Sequence, residues 1–500
     1  MAILEDALLT NFSGGVNLHG QPLSVGPNDM LACQNMYPVE TGYLVGRGGQ
    51  TEYNATAIDS NPIKSLYRFY KQDGTGILLA TSGTDVYKGN DGAGTFSSIL
   101  SGLTSGQRFS FTTWTAKDKV YWINNAEALR SYDGTTVATV GGSPPVGSQV
   151  ELYLDRLYIL LPNTVRFSDL NVDNVWQAAA SLNISDNRGG TAAFLKAANR
   201  ILIAGKTTGL WRLDGSPLLG SVFVPYSDVG CIAPWTADVV TVTSNNEVIP
   251  AGVAFLARDG VYVTDGFSVT LISTKIDPLF TGFFLDAVGK YYPKQRQYFL
   301  SFDTVGGAND TLWVATNVDV LGSQVAWTEY TGFKCDSFAV WDGGADSGEL
   351  LSGRSDTGKV RYLDDGDQDV GVDYTCLLKS RYLGTPAPNK QVRWLKSIFN
   401  AVNPVHCEID YFARELSALP LSATVISGAW DSGFWDSGVW GVPEFSNART
   451  SVLDYKYGRY FSLKFFNTGD GPMFKFFQVN AEYRLKDRRV HEVFSLNMNP

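Results

Sequence analysis

The sequence predicts an all-β protein, a β-propeller of about seven blades followed by a C-terminal β-sandwich. Three observations carry this. Short runs rich in Val, Ile, Leu and aromatics recur from about residue 61 to 366, separated by turns rich in Gly and Asp. Aromatics make up 13% and charged residues only 18% of the 500 residues, with 51 glycines; this suits many short strands and tight turns, not coiled coils or disorder. Asp-Gly pairs close successive sets of strands at positions 133, 214, 265 and 342. Their spacing fits one or two units of roughly 40–50 residues, the length of a four-stranded blade. Two stacked sandwiches with repetitive turns are the competing arrangement, because no WD or kelch signature is present.

Residues 1–60 read as an N-terminal arm with little strand periodicity. Gly26-Pro-Asn-Asp29 before Met30-Leu-Ala-Cys-Gln-Asn-Met36 predicts a short helix capped by Asn or Asp. Tyr43-Leu-Val45, set between glycines, predicts an isolated strand that completes the last blade and locks the ring.

Residues 61–370 form the predicted propeller. Its clearest unit is Phe255-Leu-Ala-Arg-Asp-Gly-Val-Tyr-Val-Thr-Asp-Gly-Phe-Ser-Val-Thr-Leu-Ile-Ser273. Strands ending at Leu256 and spanning Val261–Val263 and Val269–Ile272 are joined there by Asp-Gly pairs, read as type I′ turns because both residues tolerate positive φ. Weaker copies precede and follow it, among them Phe109–Trp114 with Lys119–Ile123, and Val150–Tyr153 with Leu157–Leu160.

The strands lengthen after residue 370. Cys376–Tyr382, Gln391–Asn400, Cys407–Phe412, Ser462–Phe466 and Phe474–Arg484 predict a sandwich over 371–488, with a polar tail at 489–500.

A net charge of −10 argues against a nucleic-acid clamp, which shows a basic patch or stripe. It suits a wall that DNA slides past, and equally an ordinary soluble protein. The five cysteines, Cys33, Cys231, Cys335, Cys376 and Cys407, are scattered without a CxxC, so buried thiols are expected rather than a disulfide framework. Three histidines are too few for a His-based metal site, and His406-Cys407 is a ligand-like pair without partners. No metal or cofactor is expected. The opening MAILEDALLTNF lacks a basic n-region, and no run reaches 18 apolar residues, so neither a secretory signal nor a membrane span is expected.

The most conspicuous motif is Trp430-Asp-Ser-Gly-Phe-Trp435-Asp-Ser-Gly-Val-Trp440-Gly, in a Trp-rich loop over 430–441. Trp430, Trp435 and Trp440 are candidate interface contacts, since Trp is enriched at interfaces, or candidate saccharide platforms with nearby Asp accepting hydroxyl hydrogen bonds. The likeness to a sialidase Asp box is superficial, because the Thr-Trp ending is missing. Asp364-Asp365 and Glu5-Asp6 are paired carboxylates in turn-like or terminal contexts, where solvated charge is the default; a glycosidase pair is the alternative. No GxSxG, P-loop, HExxH or EF-hand pattern appears. Gly46-Arg-Gly-Gly49 lacks the strand-to-helix context of a phosphate cradle, and Lys486-Asp-Arg-Arg489 is a short basic patch.

Several stretches resemble a family of tailed-bacteriophage virion proteins, the propeller-bearing tail nozzle or head-to-tail stabilising proteins of short-tailed phages. They are Asn11-Phe-Ser-Gly-Gly-Val-Asn17, Pro22-Leu-Ser-Val-Gly-Pro-Asn-Asp29, Gln34-Asn-Met36 and Ser227-Asp-Val-Gly-Cys-Ile-Ala-Pro234. Phe255–Ala257 with Asp259-Gly-Val-Tyr262, Asp265-Gly266, Ile272-Ser273 and Lys275-Ile-Asp277 follow, then Tyr292-Pro293, Arg296-Gln-Tyr298 and Trp327-Thr-Glu-Tyr330. The chain departs from that pattern at 236–250 and in the WDSG repeat. The resemblance implies a non-enzymatic virion tail protein, made in the host cytoplasm. It would form a homo-oligomeric ring, a hexamer by analogy, below the portal and adaptor. Such a ring would extend the DNA channel, retain genomic DNA without sequence-specific contacts, and anchor fibres, spikes or a needle. An acidic lumen is expected to keep DNA moving. The competing functions are a host-glycan or receptor-binding tail module and a propeller glycosidase.

Overall fold

Between Ile63 and Leu363 the short apolar runs pair into successive antiparallel sheets, each made of strands adjacent in sequence. The structure is a computed structural model. It describes residues 4–185, 188–217, 222–244, 247–282, 284–303, 309–319, 321–322, 324–342, 348–412, 423–425, 446–451 and 457–486. The chain divides into two units, 50–325 with 332–365, and 1–49 with 326–331 and 366–500.

The first unit is the propeller. Five four-stranded meanders span 63–100, 110–139, 149–183, 192–227 and 238–271. The sixth blade contributes Val288–Tyr292, Gln297–Phe302 and Thr311–Thr316. The seventh contains Cys335–Asp342, Gly348–Arg354 and Val360–Leu363, with Gln50–Glu52 as its outermost strand. The first strand of each blade packs on the first strands of its neighbours, and that of the seventh packs on that of the first, so the ring is closed. Aromatic and branched side chains fill the seams. Phe69, Phe111 and Trp122 lie between the first two blades, Tyr158, Leu195 and Trp211 between the third and fourth, and Phe194, Ile203 and Phe255 between the fourth and fifth. Hydroxyls stitch the inner strands: Ser65 Oγ accepts the Phe109 N–H at 2.8 Å, and Ser337 Oγ donates to the Ile63 carbonyl at 2.7 Å.

The ring closes through Gln50–Glu52, paired with Val360–Leu363 in the register Glu52–Arg361, Thr51–Tyr362 and Gln50–Leu363. Tyr43-Leu-Val45, expected to do this, lies in the other unit: Leu44–Gly46 pairs with Met36–Pro38 and with Lys475–Lys486. The reason is burial. Leu44 is completely enclosed, which suits a strand inside a sandwich, whereas Thr51 and Glu52 are only half-buried, as an outer blade strand requires. The closure is fastened by Lys359, whose ammonium sits 2.7 Å from Glu52, and by Tyr53. Tyr53 packs on Phe96 at 5.2 Å and Tyr362 at 5.8 Å, and its hydroxyl donates to Asp91 at 2.9 Å. Tyr53→Ala is expected to cost about 3–5 kcal/mol and to loosen the closure selectively. Hydrogen exchange would then accelerate in peptides covering 50–54 and 360–363; unchanged protection there would show that Tyr53 is not the fastener.

The Asp-Gly pairs at 133, 214 and 265, expected to close sets of strands, instead lead from the third strand of a blade into its fourth, and Asp342 ends the first strand of the seventh blade. The turns after 133 and 265 are not type I′. Positive φ is confined to the glycine, 96° at Gly134 and 89° at Gly266. The aspartates act instead as side-chain acceptors. Asp133 Oδ1 takes the N–H groups of Thr135 and Thr136 at 2.8 and 2.7 Å, and Asp265 Oδ1 those of Phe267 and Ser268 at the same distances. The backbone donors of Thr136 and Thr135 hold the Asp133 carboxyl below its ordinary range.

The second unit is a β-sandwich, and residues 4–49, expected as an arm, supply strands to both its sheets. In one sheet Asp29–Gln34 lies between Ala326–Tyr330, running parallel, and Thr375–Ser380, running antiparallel; Tyr460–Thr468, Val405–Phe412 and Ala423–Val425 follow. The other runs Ser446–Ser451, Asn389–Asn400, Lys475–Lys486, Leu44–Gly46, Met36–Pro38, with Leu4–Leu9 also paired to Lys475–Lys486. Phe465 against Phe476 at 4.7 Å and Phe461 against Tyr483 at 5.6 Å pack the sheets face to face. The helix expected after Asp29 is therefore a strand. Both of its edges find partners, and this tertiary pairing overrides a weak local helical preference.

Candidate functional site

Trp430, Trp435 and Trp440, and with them the whole WDSG repeat, lie outside the described residues, as do Arg488 and Arg489 of the basic patch. Asp364, Asp365, Glu5 and His406, also singled out from sequence, each have a partner. Asp364 accepts from the Gln295 amide and Asp365 from the Thr51 hydroxyl. Glu5 accepts from the Tyr483 hydroxyl at 3.0 Å. His406 stacks on Phe466 at 5.2 Å. All five cysteines are buried free thiols, and burial pushes Cys231, Cys335 and Cys376 up to about 12. Among the described residues no group of three or more His, Cys, Asp or Glu is placed to hold a metal ion, and no helix is long and apolar enough to cross a membrane.

The charged chemistry collects instead on the innermost strands of the propeller. In ring order these present Lys64, Glu151, Lys196, Asp238, Lys290 and Asp336, with Arg108 just before the inner strand of the second blade. Asp336, on the seventh blade, is the anchor. It takes Lys64 Nζ at 2.6 Å, Arg108 Nη2 at 2.7 Å and Asn309 Nδ2 at 3.1 Å, tying it to the first, second and sixth blades. Arg108 also donates to the carbonyls of Lys64, at 2.9 Å, and of Asp336. Asp238 on the fifth blade takes Lys290 Nζ at 3.0 Å and the Tyr291 N–H at 2.8 Å. Glu151 on the third receives the Ala197 N–H at 3.3 Å. Burial pushes its carboxyl up to about 7, with Lys196 the main opposing influence. Asp336 and Asp238 are thus committed to ion pairs that fasten blade to blade.

An open cleft of about 540 Å³ on the first blade includes Lys71, Lys88 and Asp91 in its lining. Asp91 is already engaged there, by Arg68 at 2.7 and 3.0 Å and by the Tyr53 hydroxyl.

The sandwich has its own buried charge. The guanidinium of Arg47 uses all five N–H donors: on Asp369 at 2.9 and 2.6 Å, Asn35 Oδ1 at 2.9 Å, the Gly48 carbonyl at 2.8 Å and the Thr331 carbonyl at 3.2 Å. Its Cζ lies 3.8 Å from the Tyr374 ring centroid. The flanking glycines serve close approach: a Cβ at Gly46 would stand 1.9 Å from the Gly471 carbonyl oxygen, and one at Gly49 2.1 Å from that of Gln368. Sequence reasoning passed over Arg47, whose signal was a lone arginine in a glycine-rich turn, and over the Lys64–Arg108–Asp336 cluster.

No protein-family model matches the chain, and no curated protein matches it. Among solved structures it is similar to YCF48 from Cyanidioschyzon merolae, with 13% identity and a TM-score of 0.41 over 63% of this chain and 98% of that one. A chain of the mitotic checkpoint complex matches at 11% identity and 0.41, over 66% and 95%. Raptor from Chaetomium thermophilum matches at 10% and 0.44, over 68% of this chain and 30% of that one. Likeness this slight says nothing about function, and the propeller is read from its own sheet order.

Proposed function

We propose that the protein is a structural component of a bacteriophage virion tail, a nozzle or head-tail connector. Copies form a ring that extends the DNA channel, retains packaged DNA and anchors other tail proteins. The observation that supports this reading is how three of the segments bearing the resemblance meet. Asn11–Asn17, Gln34–Met36 and Trp327–Tyr330, some 300 residues apart in sequence, share one corner of the sandwich. A Cβ on Gly15 would stand 2.6 Å from the Trp327 nitrogen, Gln34 Nε2 donates to Glu329 Oε2 at 2.8 Å, and the Asn35 N–H donates to the Glu329 carbonyl at 2.9 Å. Three of the segments that bear the likeness thus pack together, while those from Ser227 to Tyr298 belong to the propeller. The inner strands of the propeller support the same reading, because their ion pairs spend charge on fastening blades. DNA would then pass between copies, along the axis of the assembly.

The test is the native mass of the purified 54.6 kDa chain, with negative-stain images, alone and mixed with tail-less capsids of its phage. A closed ring of about 330 kDa, the mass of six copies, or a monomer that assembles on those capsids, is the expected result. A monomer that ignores the capsids overturns the proposal; if it also depolymerises or binds host polysaccharide, the glycosidase or glycan-binding alternative takes its place.

A further inference from the structure

The two ends of the sandwich differ in charge. Asn389–Asn400 runs from the first end to the second, and Lys475–Lys486 runs back. At the first stand Arg381, Arg393, Arg459 and Arg484, none of which makes an ion pair among the described residues. Arg484 lies opposite Gln391, with Arg393 at a bulge in the same pairing, and Leu383-Gly384, just after Arg381, pairs with Phe461 and Tyr460. Lys390 adds a fifth cation. It is 1% exposed, and its ammonium is held by the carbonyls of Thr385, Pro388 and Arg459 and by the Thr385 hydroxyl, with no carboxylate. Nearby acids are engaged: Asp410 by Lys379 at 2.9 Å, Glu482 by Lys396, and Glu5 by the Tyr483 hydroxyl; Asp6, opposite Glu482, is exposed. Beside Arg459, Phe412 is 49% exposed and packs on Tyr382 at 5.3 Å.

At the second end three loops converge on Asp470. This buried carboxylate takes the N–H groups of Val402 and Asn403 at 2.9 Å and the Asn467 amide at 2.8 Å, and a Cβ on Gly469 would stand 3.2 Å from Asp373. Although so firmly held, each loop offers an apolar side chain to water: Val372 is 65% exposed, Val402 69% and Met473 49%. Asp367 and Asp373 are exposed beside them without ion pairs among the described residues, and Lys475 opposes them.

We propose that copies join through these ends, the arginine end of one sandwich seated on the apolar, acidic end of the next. This rests on the ring proposed above and assigns its contact. Two different surfaces meet, so every copy keeps one of each for its neighbours, and repetition closes a ring. The chain carries a net charge of −10, so copies repel as a whole. Four unpaired arginines set against exposed acids decide which faces meet, and loops fixed in advance lose little freedom on docking.

The experiment uses the full chain as two double variants, Arg459→Glu with Arg484→Glu at one end and Asp367→Lys with Asp373→Lys at the other, all four positions being exposed. Native mass and negative-stain images are read under the conditions where wild type forms a ring, or on tail-less capsids if it assembles only there. Each double variant alone should lose the ring, because every contact then sets like charges together. An equimolar mixture of the two should regain it, since each contact then pairs either two natural ends or two reversed ones. Recovery in the mixture also shows that both variants are folded. A ring that survives either double variant, or a mixture that stays monomeric, overturns this contact and leaves the ring reading standing. A wild type that is monomeric both alone and on capsids overturns both. If that monomer retains a labelled DNA duplex and the arginine variant does not, nucleic acid takes the place of the second copy.

Discussion

Arg47→Met should destabilise the sandwich by about 3–5 kcal/mol. The substitution keeps most of the aliphatic length but removes five donors at once. Asp369, with its side chain only 15% exposed, keeps its charge and loses both bonds of the bidentate pair. Asn35 Oδ1 and the carbonyls of Gly48 and Thr331 lose a donor each. These acceptors come from stretches near residues 35, 48, 331 and 369, so the loss falls on the point where distant parts of the chain are joined. Arg47→Lys should recover only part of the stability, because one ammonium cannot span both carboxylate oxygens while reaching Asn35.

The decisive variant removes both charges. Met at 47 with Leu at 369 leaves no stranded carboxylate, so the double substitution should cost less than Arg47→Met alone. Urea unfolding of wild type, Arg47→Met, Asp369→Leu and the double variant, with hydrogen exchange read over 29–38 and 375–380, makes the comparison. Additive losses would mean that the pair is incidental and that the fit of the guanidinium among Tyr374, Asn35 and the carbonyls is what matters.

Much of the propeller was legible because blade strands are local. Phe255, Tyr262 and Leu271 sit on adjacent strands in the expected order, and a hairpin needs only its neighbours in sequence to declare itself. The turn type was less legible. Asp265-Gly266 suits a type I′ turn on residue preference, yet the same aspartate also accepts two backbone N–H groups, and that geometry prevailed. Residues 29–34 misled for the opposite reason. Their capping signal is local, while the partners that make them a strand, Ala326–Tyr330 and Thr375–Ser380, lie about 300 residues away. The same distance hid the charge clusters. Lys64 and Asp336 are ordinary polar positions in separate strands until seven blades have been turned and the ring closed.

Asp336→Ala is accordingly expected to be among the most damaging substitutions in the propeller, at about 3–5 kcal/mol. Two cations share this acceptor, but they do not depend on it equally. The Arg108 side chain is 7% exposed and that of Lys64 28%, so Lys64 can turn toward water while Arg108 is left enclosed with carbonyls for company. The order of losses should therefore be Asp336→Ala greatest, Arg108→Met next and Lys64→Met least, near 1 kcal/mol. Asp336→Asn separates charge from shape: the amide still fits beside Asn309, but it offers one acceptor oxygen in place of two and no charge, so it should lose nearly as much as alanine. Denaturant midpoints at low and high salt test the premise. Screening reaches exposed charges and spares enclosed ones, so added salt should shrink the Lys64→Met loss and leave the Asp336→Ala loss almost unchanged. If salt erased both, the cluster would be a surface feature, and the blades would owe their closure to the apolar seams alone.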